Sequence, residues 1–322
     1  GFSVNDDHYV VDANGGHLQV YPVDGSGAVV EMAMDPDFLP TIPSNTTATL
    51  IPKTLFGERY VSLAIPPRSI VGLVGQSGSG KSTLGLAMLG LLAPNLDVIE
   101  GHMRLEGQRI DMTDRMALAR QRGRGISMIF QDPLSALNPV FTIGTQLDEV
   151  LRSLFPALRS SIRKTRARDA LDAVGFANPA LTLRQYPHEL SGGMRQRVVI
   201  AMAMLAEAKI VVADEPTTAL DPEVEHQVMD ELVRLQQRID CSILLISHSI
   251  RLVGRLCQTV NVMLQGKIVE HGAAAQIIGA PAHAYTRELL ACDVGLDTKR
   301  PADPRDYRFP VIRTASAPGP ER

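Results

Sequence analysis

Three features of this 322-residue chain predict an α/β fold built on a mainly parallel sheet. Short apolar runs at residues 70–74, 126–130, 210–213, 243–246 and 260–264 are of the kind that a parallel sheet buries on both faces. Stretches with helical patterning lie between them, and alternating strands and helices are the hallmark of this class. The third feature is a junction, in which the run at 70–74 leads into a Gly/Ser turn and then into residues 82–92, whose apolar spacing suits a helix.

In chain order, residues 1–50 form an atypical N-terminal segment rich in Gly, Asp, Asn, Pro and Thr. Its short apolar stretches, such as Val29-Val30-Glu31-Met32, suit one or two strands. Between two of the later runs, Val224, Val228, Leu232, Leu235 and Ile239 recur at spacings of four, four, three and four, which draws a single apolar stripe on a helix. The interval from about 133 to 190 interrupts the alternation. It is polar, Arg-bearing and helical in pattern near 168–174, and reads as an inserted helical subdomain. The Pro, Arg, Asp and Ser content of residues 294–322 predicts a disordered tail.

Hydrophobic residues at 45% and charged residues at 21% exclude a collagen-like, mucin-like or wholly disordered chain. Thirty-two basic against 35 acidic residues leave a net charge of −3, so no global field draws the chain to nucleic acid or anionic lipid. Cys241, Cys257 and Cys292 are odd in number and form no Cys-x-x-Cys pair; buried thiols in a reducing cytosol are expected, not disulfides or a metal centre. No apolar run approaches the ~18 residues needed to span a bilayer. The chain opens at Gly1 with no charged-then-apolar leader, and no signal peptide is expected.

Three motifs carry chemistry. Gly75-Gln76-Ser77-Gly78-Ser79-Gly80-Lys81-Ser82 fits G-x-x-x-x-G-K-[ST] directly after a predicted strand and at the start of a predicted helix. Glycines there let backbone N–H groups wrap phosphates, Lys81 reaches the terminal phosphates, and Ser82 offers a hydroxyl to Mg²⁺. Ile210-Val211-Val212-Ala213-Asp214-Glu215 is an apolar strand ending in two carboxylates, one suited to a metal and one to a water. Both could instead simply complement a helix dipole. Leu190-Ser191-Gly192-Gly193 opens an apolar helix and presents N–H groups and a hydroxyl to an anion. The first motif alone leaves GTPases, kinases, helicases and transporter motors open.

Gln131 after a strand, Ala219-Leu220-Asp221 and His248 after a strand complete an ordered set of six motifs that resembles the ATP-binding-cassette ATPases. The resemblance covers about residues 51–293 and implies a P-loop NTPase fold, a RecA-like parallel-sheet core carrying the inserted helical subdomain. Two such domains pack head to tail in this family, so that each ATP lies between the P-loop of one and the Ser191-type turn of the other. The implied ATP-binding residues are Gly75, Ser77, Gly78, Ser79, Gly80, Lys81, Ser82 and Thr83 on one side, with Ser191, Gly192, Gly193 and Asp221 at the seam. Ser82, Gln131 and Asp214 are the implied Mg²⁺ ligands, direct or through water. Glu215 is the implied general base, with His248 and Gln131 completing the catalytic set. An aromatic residue normally stacks on adenine, and Phe56 is the candidate, with Phe38 and Tyr60 as rivals.

The wording of residues 128–139, 186–198 and 214–221, and Pro281-Ala282-His283-Ala284-Tyr285-Thr286 beyond them, is similar to the dipeptide and oligopeptide importer ATPases. Nickel and glutathione importers share much of it. The resemblance implies a second ATPase subunit, a heterodimer in preference to a homodimer. It also implies two membrane permease subunits, an extracytoplasmic solute-binding protein served indirectly, and a peripheral place on the cytoplasmic face of the membrane. Ser249 follows His248 where the family usually has Asp, and Pro66-Pro67-Arg68 replaces its Pro-Gly-Glu turn.

Two other readings compete. A soluble cassette ATPase of DNA repair, translation or enzyme assembly could use Arg159, Arg163, Lys164, Arg166 and Arg168 as a nucleic-acid patch. No aromatic residues are interleaved for base stacking, so a solvated helix face is expected and no nucleic acid partner. A nucleotide-binding regulator without hydrolysis is disfavoured by the intact Glu215, Gln131 and His248.

Overall fold

The computed structural model describes residues 61–217 and 224–293, together with the backbone of residues 222–223 and of four strands nearer the N-terminus. Phe56, Phe38, Tyr60, Asp221 and the tail 294–322 lie outside the described residues, as does most of the segment 1–50.

The alternating apolar runs fold into one six-stranded sheet. Strands β6 (Ile70–Val74), β9 (Ile126–Ile129), β10 (Ile210–Asp214), β11 (Ser242–Ser247) and β12 (Thr259–Leu264) are joined by β13 (Lys267–Ala273), in the order β13-β12-β6-β11-β10-β9. Every pairing from β9 to β12 is parallel, and only β13 runs antiparallel at one edge. That edge strand is absent from the sequence reading because its residues are half-exposed and lack a continuous apolar run.

Because side chains alternate across a strand, each run feeds two cores. Val71, Leu73, Val212, Leu244 and Ile246 point to one side, against Leu84, Ala87 and Met88 of α1 (Lys81–Met88). The same core includes residues of a second, antiparallel sheet of order β5-β4-β7-β8, made of β5 (Val61–Ile65), β4 (Ala28–Met34), β7 (Val98–Leu105) and β8 (Gln108–Asp111). Strand β4 realises the strand expected near Val29. Shorter strands β1 (Ser3–Val4), β2 (Val10–Val11) and β3 (His17–Leu18) form a small sheet of their own. Residues 70, 74, 211, 213, 243 and 245 face the other core, built with the helices.

Helix α1 ends at Met88, not at 92 as its apolar spacing suggests. Gly90 turns left-handed at φ 62°, and the Arg122 guanidinium, just past α2 (Arg115–Gln121), donates to the carbonyls of Leu89 (2.7 Å) and Gly90 (2.9 Å). These carbonyls lack helical partners, and the arginine supplies them.

Between β9 and β10 the chain runs through α3 (Pro133–Ala136), α4 (Ile143–Leu154), α5 (Ser160–Ala173), α6 (Pro179–Thr182) and α7 (Gly192–Ala206). Ile143, Leu147 and Leu151 recur every four residues along α4 and are fully buried in the helical core. The stripe expected on α8 (Pro222–Ile239) is in place, with Val228, Leu232 and Leu235 buried and Val224 and Ile239 packed beside them. After β11 and β12 come α9 (Ile250–Leu256), α10 (Ala274–Gly279) and α11 (Ala284–Cys292).

Two expectations need correction. Arg163 of α5 is not part of a solvated face, since it donates to both oxygens of Asp148 at 2.7 and 3.3 Å and its side chain is only 14% exposed. Arg166 pairs with Glu207 at 2.9 Å while lying over the Phe155 ring, with its side chain still 40% exposed, and Arg159, Lys164 and Arg168 are exposed as expected. Cys241 and Cys257 are buried as expected, but Cys292 is exposed because it occupies the outer side of the last turn of α11. Burial pushes the Cys241 and Cys257 thiols up to about 12, so they carry almost no thiolate near neutrality. At pH 8 a thiol reagent is therefore expected to modify Cys292 rapidly and the other two only after unfolding; a fast count of three in native protein contradicts this burial.

A candidate nucleotide-binding and hydrolysis site

The phosphate loop lies between β6 and α1. Gly80 caps α1 with φ 101°, a left-handed geometry that suits glycine, and no side chain covers the helix N-terminus. The N–H groups there are left to an anion. Lys81 is only 4% exposed and its ammonium donates to the carbonyls of Gly75 (2.8 Å) and Gln76 (2.9 Å). Burial draws its pKa down, and the Glu215 and Asp214 carboxylates push it back up. Gly78 is also left-handed, Ser77 is exposed, and Thr83 is half-buried in α1. Ser79 Oγ is buried with no hydrogen-bond partner among the described residues, while the Ser79 carbonyl accepts from Gly266 N–H at 2.9 Å.

Parallel pairing of β10 next to β11, and β11 next to β6, gathers the C-terminal ends of the strands beside this loop. Ser82 Oγ donates to Asp214 Oδ1 at 3.0 Å. Gln131 Nε2, just after β9, donates to Glu215 Oε2 at 3.1 Å, and His248 Nδ1, just after β11, lies 3.4 Å from the same oxygen. Glu215 sits at φ 43°, a conformation that costs a non-glycine residue about 1–3 kcal/mol. Its N–H donates to the Ile246 carbonyl at 2.9 Å, which helps hold the turn.

Electrostatics match this crowding. Burial raises the pKa of Asp214, with the Ser82 hydrogen bond opposing and Glu215 adding to the rise. The hydrogen bond to Glu215 raises the pKa of His248 against the cost of its partial burial. Two adjacent carboxylates, one of them buried, favour a cation between them and an incoming phosphate. Among the described residues no group of three or more His, Cys, Asp or Glu side chains forms a metal cage. A hydroxyl, a carboxylate and an amide side by side instead suit Mg²⁺, which keeps water and substrate oxygens as its other ligands.

Lys81, Ser82, Gln131, Asp214, Glu215 and His248 are thus brought together. The Ser191 turn stands apart, with no hydrogen bond or ion pair to that group among the described residues. Ser191 caps α7, accepting from Met194 N–H at 3.3 Å, and Ser191 and Gly192 are exposed. Gly193 has a packing reason as well: a Cβ there would meet Val224 Cγ1 of α8 at 2.6 Å. Sequence reasoning assigned no role to Tyr285, although it quoted the segment containing it. The Tyr285 hydroxyl accepts from Gln76 N–H at 2.8 Å, inside the phosphate loop.

Fold and site together define a P-loop ATPase. The sequence profile of the ABC transporter family matches residues 59–218. The chain is 40% identical over 230 residues to the dipeptide transport ATP-binding protein DppD of Escherichia coli K12, across 71% of this chain and 70% of that protein. It is 37% identical over 238 residues to the oligopeptide transport ATP-binding protein OppD of Lactococcus lactis subsp. cremoris, across 74% and 70%. Among solved structures it is similar to cbiO1 of Clostridium perfringens, part of the cbiONQ ABC transporter complex, with a TM-score of 0.61, 25% identity, and 78% and 89% of the two chains covered. The fold is also that of the ATP-binding cassette MJ0796, seen as a dimer bound to ADP and Pi, with a TM-score of 0.59, 24% identity, and 76% and 98% covered. The chain belongs to the ABC transporter family, as an ATPase subunit.

Proposed function

We propose that this chain powers the uptake of di- or oligopeptides as one of two ATPase subunits of an ABC importer. The cluster of Lys81, Asp214, Gln131, Glu215 and His248 is the observation that carries the ATPase part, and the peptide-transport relatives support the cargo.

The N–H groups at the start of α1 and the Lys81 ammonium hold the phosphates. Ser82, Asp214 and Gln131 hold Mg²⁺, which when bound neutralises charge on the terminal phosphates. Glu215 takes the proton of the attacking water, and Gln131, bonded to that carboxylate, orients it. His248, 3.4 Å from Glu215 Oε2, contacts the γ-phosphate in this reading. The exposed Ser191 and Gly192 at the N-terminus of α7 face the ATP of a second ATPase subunit, whose own turn completes the pocket of this one. A paralogous partner is favoured over a second copy by the wording of the Ser191 motif. Phe56 is retained as the adenine contact and Asp221 as a residue of the seam.

No helix among the described residues is long and apolar enough to cross a membrane. Membrane attachment is therefore assigned to permease partners, with the chain on the cytoplasmic face. Leu134 (51% exposed), Val140 (70%) and Phe141 (45%) follow Gln131 closely in the chain. Buried Gln146 holds their loop, accepting from Asn138 N–H and donating to the Asn138 and Phe141 carbonyls at 2.9–3.0 Å. An apolar surface a few residues beyond Gln131, which bonds Glu215, suits transmission of closure to a permease.

Co-expression with two permease subunits and a solute-binding protein tests the proposal. Labelled di- or oligopeptide uptake that needs ATP and this subunit is the expected result, and transport of nickel or glutathione alone overturns the cargo. Val140→Asp with Phe141→Asp is expected to abolish co-purification with the permease while ATP binding stays at wild-type affinity. Full permease retention moves the docking surface elsewhere.

A further inference from the structure

Helix α11 reaches the phosphate loop near its start and the segment just after His248 at its end. Near its start, the Tyr285 hydroxyl accepts the N–H of Gln76 at 2.8 Å, although the two residues are 209 positions apart. The carbonyl of the same residue accepts from the Lys81 ammonium at 2.9 Å and from Ser79 N–H at 3.1 Å. Gln76 is therefore gripped from two sides, by Tyr285 at its N–H and by the phosphate-binding lysine at its carbonyl. Tyr285 is only 7% exposed, and its hydroxyl reaches out to the exposed Gln76 in a part-buried hydrogen bond.

Just past the end of α11, Asp293 Oδ2 accepts from Ser249 Oγ and from Arg251 N–H, both at 3.0 Å, and its carbonyl accepts from Arg251 Nε at 2.9 Å. Ser249 is the residue after His248 and caps α9. Its hydroxyl is neutral, so Asp293 supplies the acidic group at the start of that helix from another element. The start of α11 is anchored independently, since Glu270 of β13 accepts from Ala282 N–H (2.7 Å) and His283 N–H (3.0 Å).

We infer that Tyr285 and Asp293 are positioning residues of the nucleotide pocket, and that α11 is a strut setting the phosphate loop and the His248 loop at one relative spacing. The inference rests on the reading of Lys81 and His248 given above. Tyr285 acts on binding, because it orients the peptide that Lys81 leans on. Asp293 acts on turnover, because it fixes the loop from which His248 reaches the γ-phosphate.

The test uses the full chain with Tyr285→Phe and Asp293→Asn, each close in shape to the original. Affinity is measured by equilibrium titration with a fluorescent ATP analogue, alongside steady-state ATP hydrolysis and thermal unfolding. Tyr285→Phe is expected to weaken ATP and ADP binding by about 2- to 10-fold and to raise KM with kcat unchanged, the size of one lost part-buried hydrogen bond. Asp293→Asn is expected to lower kcat by a similar factor with KM unchanged. A merely structural role for α11 lowers the unfolding temperature of both variants and leaves Kd, KM and kcat of the folded protein at wild-type values; that outcome overturns the inference. Lys81→Ala serves as the control: if it binds ATP as the wild type does, the nucleotide-site reading itself fails. If it loses binding while Tyr285→Phe and Asp293→Asn match the wild type, only the role of α11 fails.

Discussion

Glu215→Gln is expected to cut steady-state ATP hydrolysis by about 10²- to 10⁴-fold while ATP binding persists. Glutamine matches the shape of glutamate, and its carbonyl oxygen can still accept from Gln131 Nε2, now at 3.1 Å from the carboxylate. The φ of 43° and the bond from the residue 215 N–H to Ile246 belong to the backbone and survive. The capacity to take a proton is lost, together with the negative charge that acts on Lys81, Asp214 and His248. With hydrolysis blocked, ATP is expected to hold two subunits together, visible by light scattering as a nucleotide-dependent pair. The same substitution reports on His248, whose raised pKa has the Glu215 hydrogen bond as its main cause. Because that pKa is raised, the stabilising pair is complete below the ordinary histidine range and is lost as pH rises through the raised value. The His248 pKa followed by NMR is expected to fall in the Gln variant. Unchanged phosphate release places the base elsewhere.

Ser191→Arg is expected to reduce turnover to near background, an effect of at least about 10²-fold, without impairing ATP binding to the isolated subunit. Among the described residues Ser191 makes no hydrogen bond to Lys81 or its partners, so the P-loop is expected to remain intact. On the proposed shared pocket, the damage is expected at the partner's ATP, where a bulky cation replaces a hydroxyl at the exposed N-terminus of α7. Because Ser191 is exposed, the fold has room for the larger side chain, and the unfolding temperature is expected to stay close to wild type. A binding titration beside a hydrolysis assay separates the two readouts. Normal turnover in the variant rules out a pocket shared between subunits.

Much of the candidate site is legible in the sequence, because its parts are local. Gly75 to Ser82 announce a strand-to-helix anion loop in eight consecutive residues, and the run at 210–215 announces a buried strand ending in carboxylates. The α8 stripe needed only the helical period to be recognised. Strand β13 was missed because it is an edge strand with half-exposed residues, and the early end of α1 because Arg122 reaches back to it from beyond the next helix. Cys292 was placed inside on average residue behaviour, whereas the terminal turn of α11 presents it to solvent.

From the sequence alone came the residue types, their order and the elements that carry them, since each depends on side-chain chemistry and periodicity within a few turns of chain. Tertiary structure alone decided which of them meet. Ser82 finds Asp214 across 132 positions, Gln131 finds Glu215 across 84, and Tyr285 finds Gln76 across 209. The first two distances close because the sheet runs β6-β11-β10-β9 in space, not in chain order, and so aligns strand ends that no local pattern connects; the third closes because α11 returns to the phosphate loop.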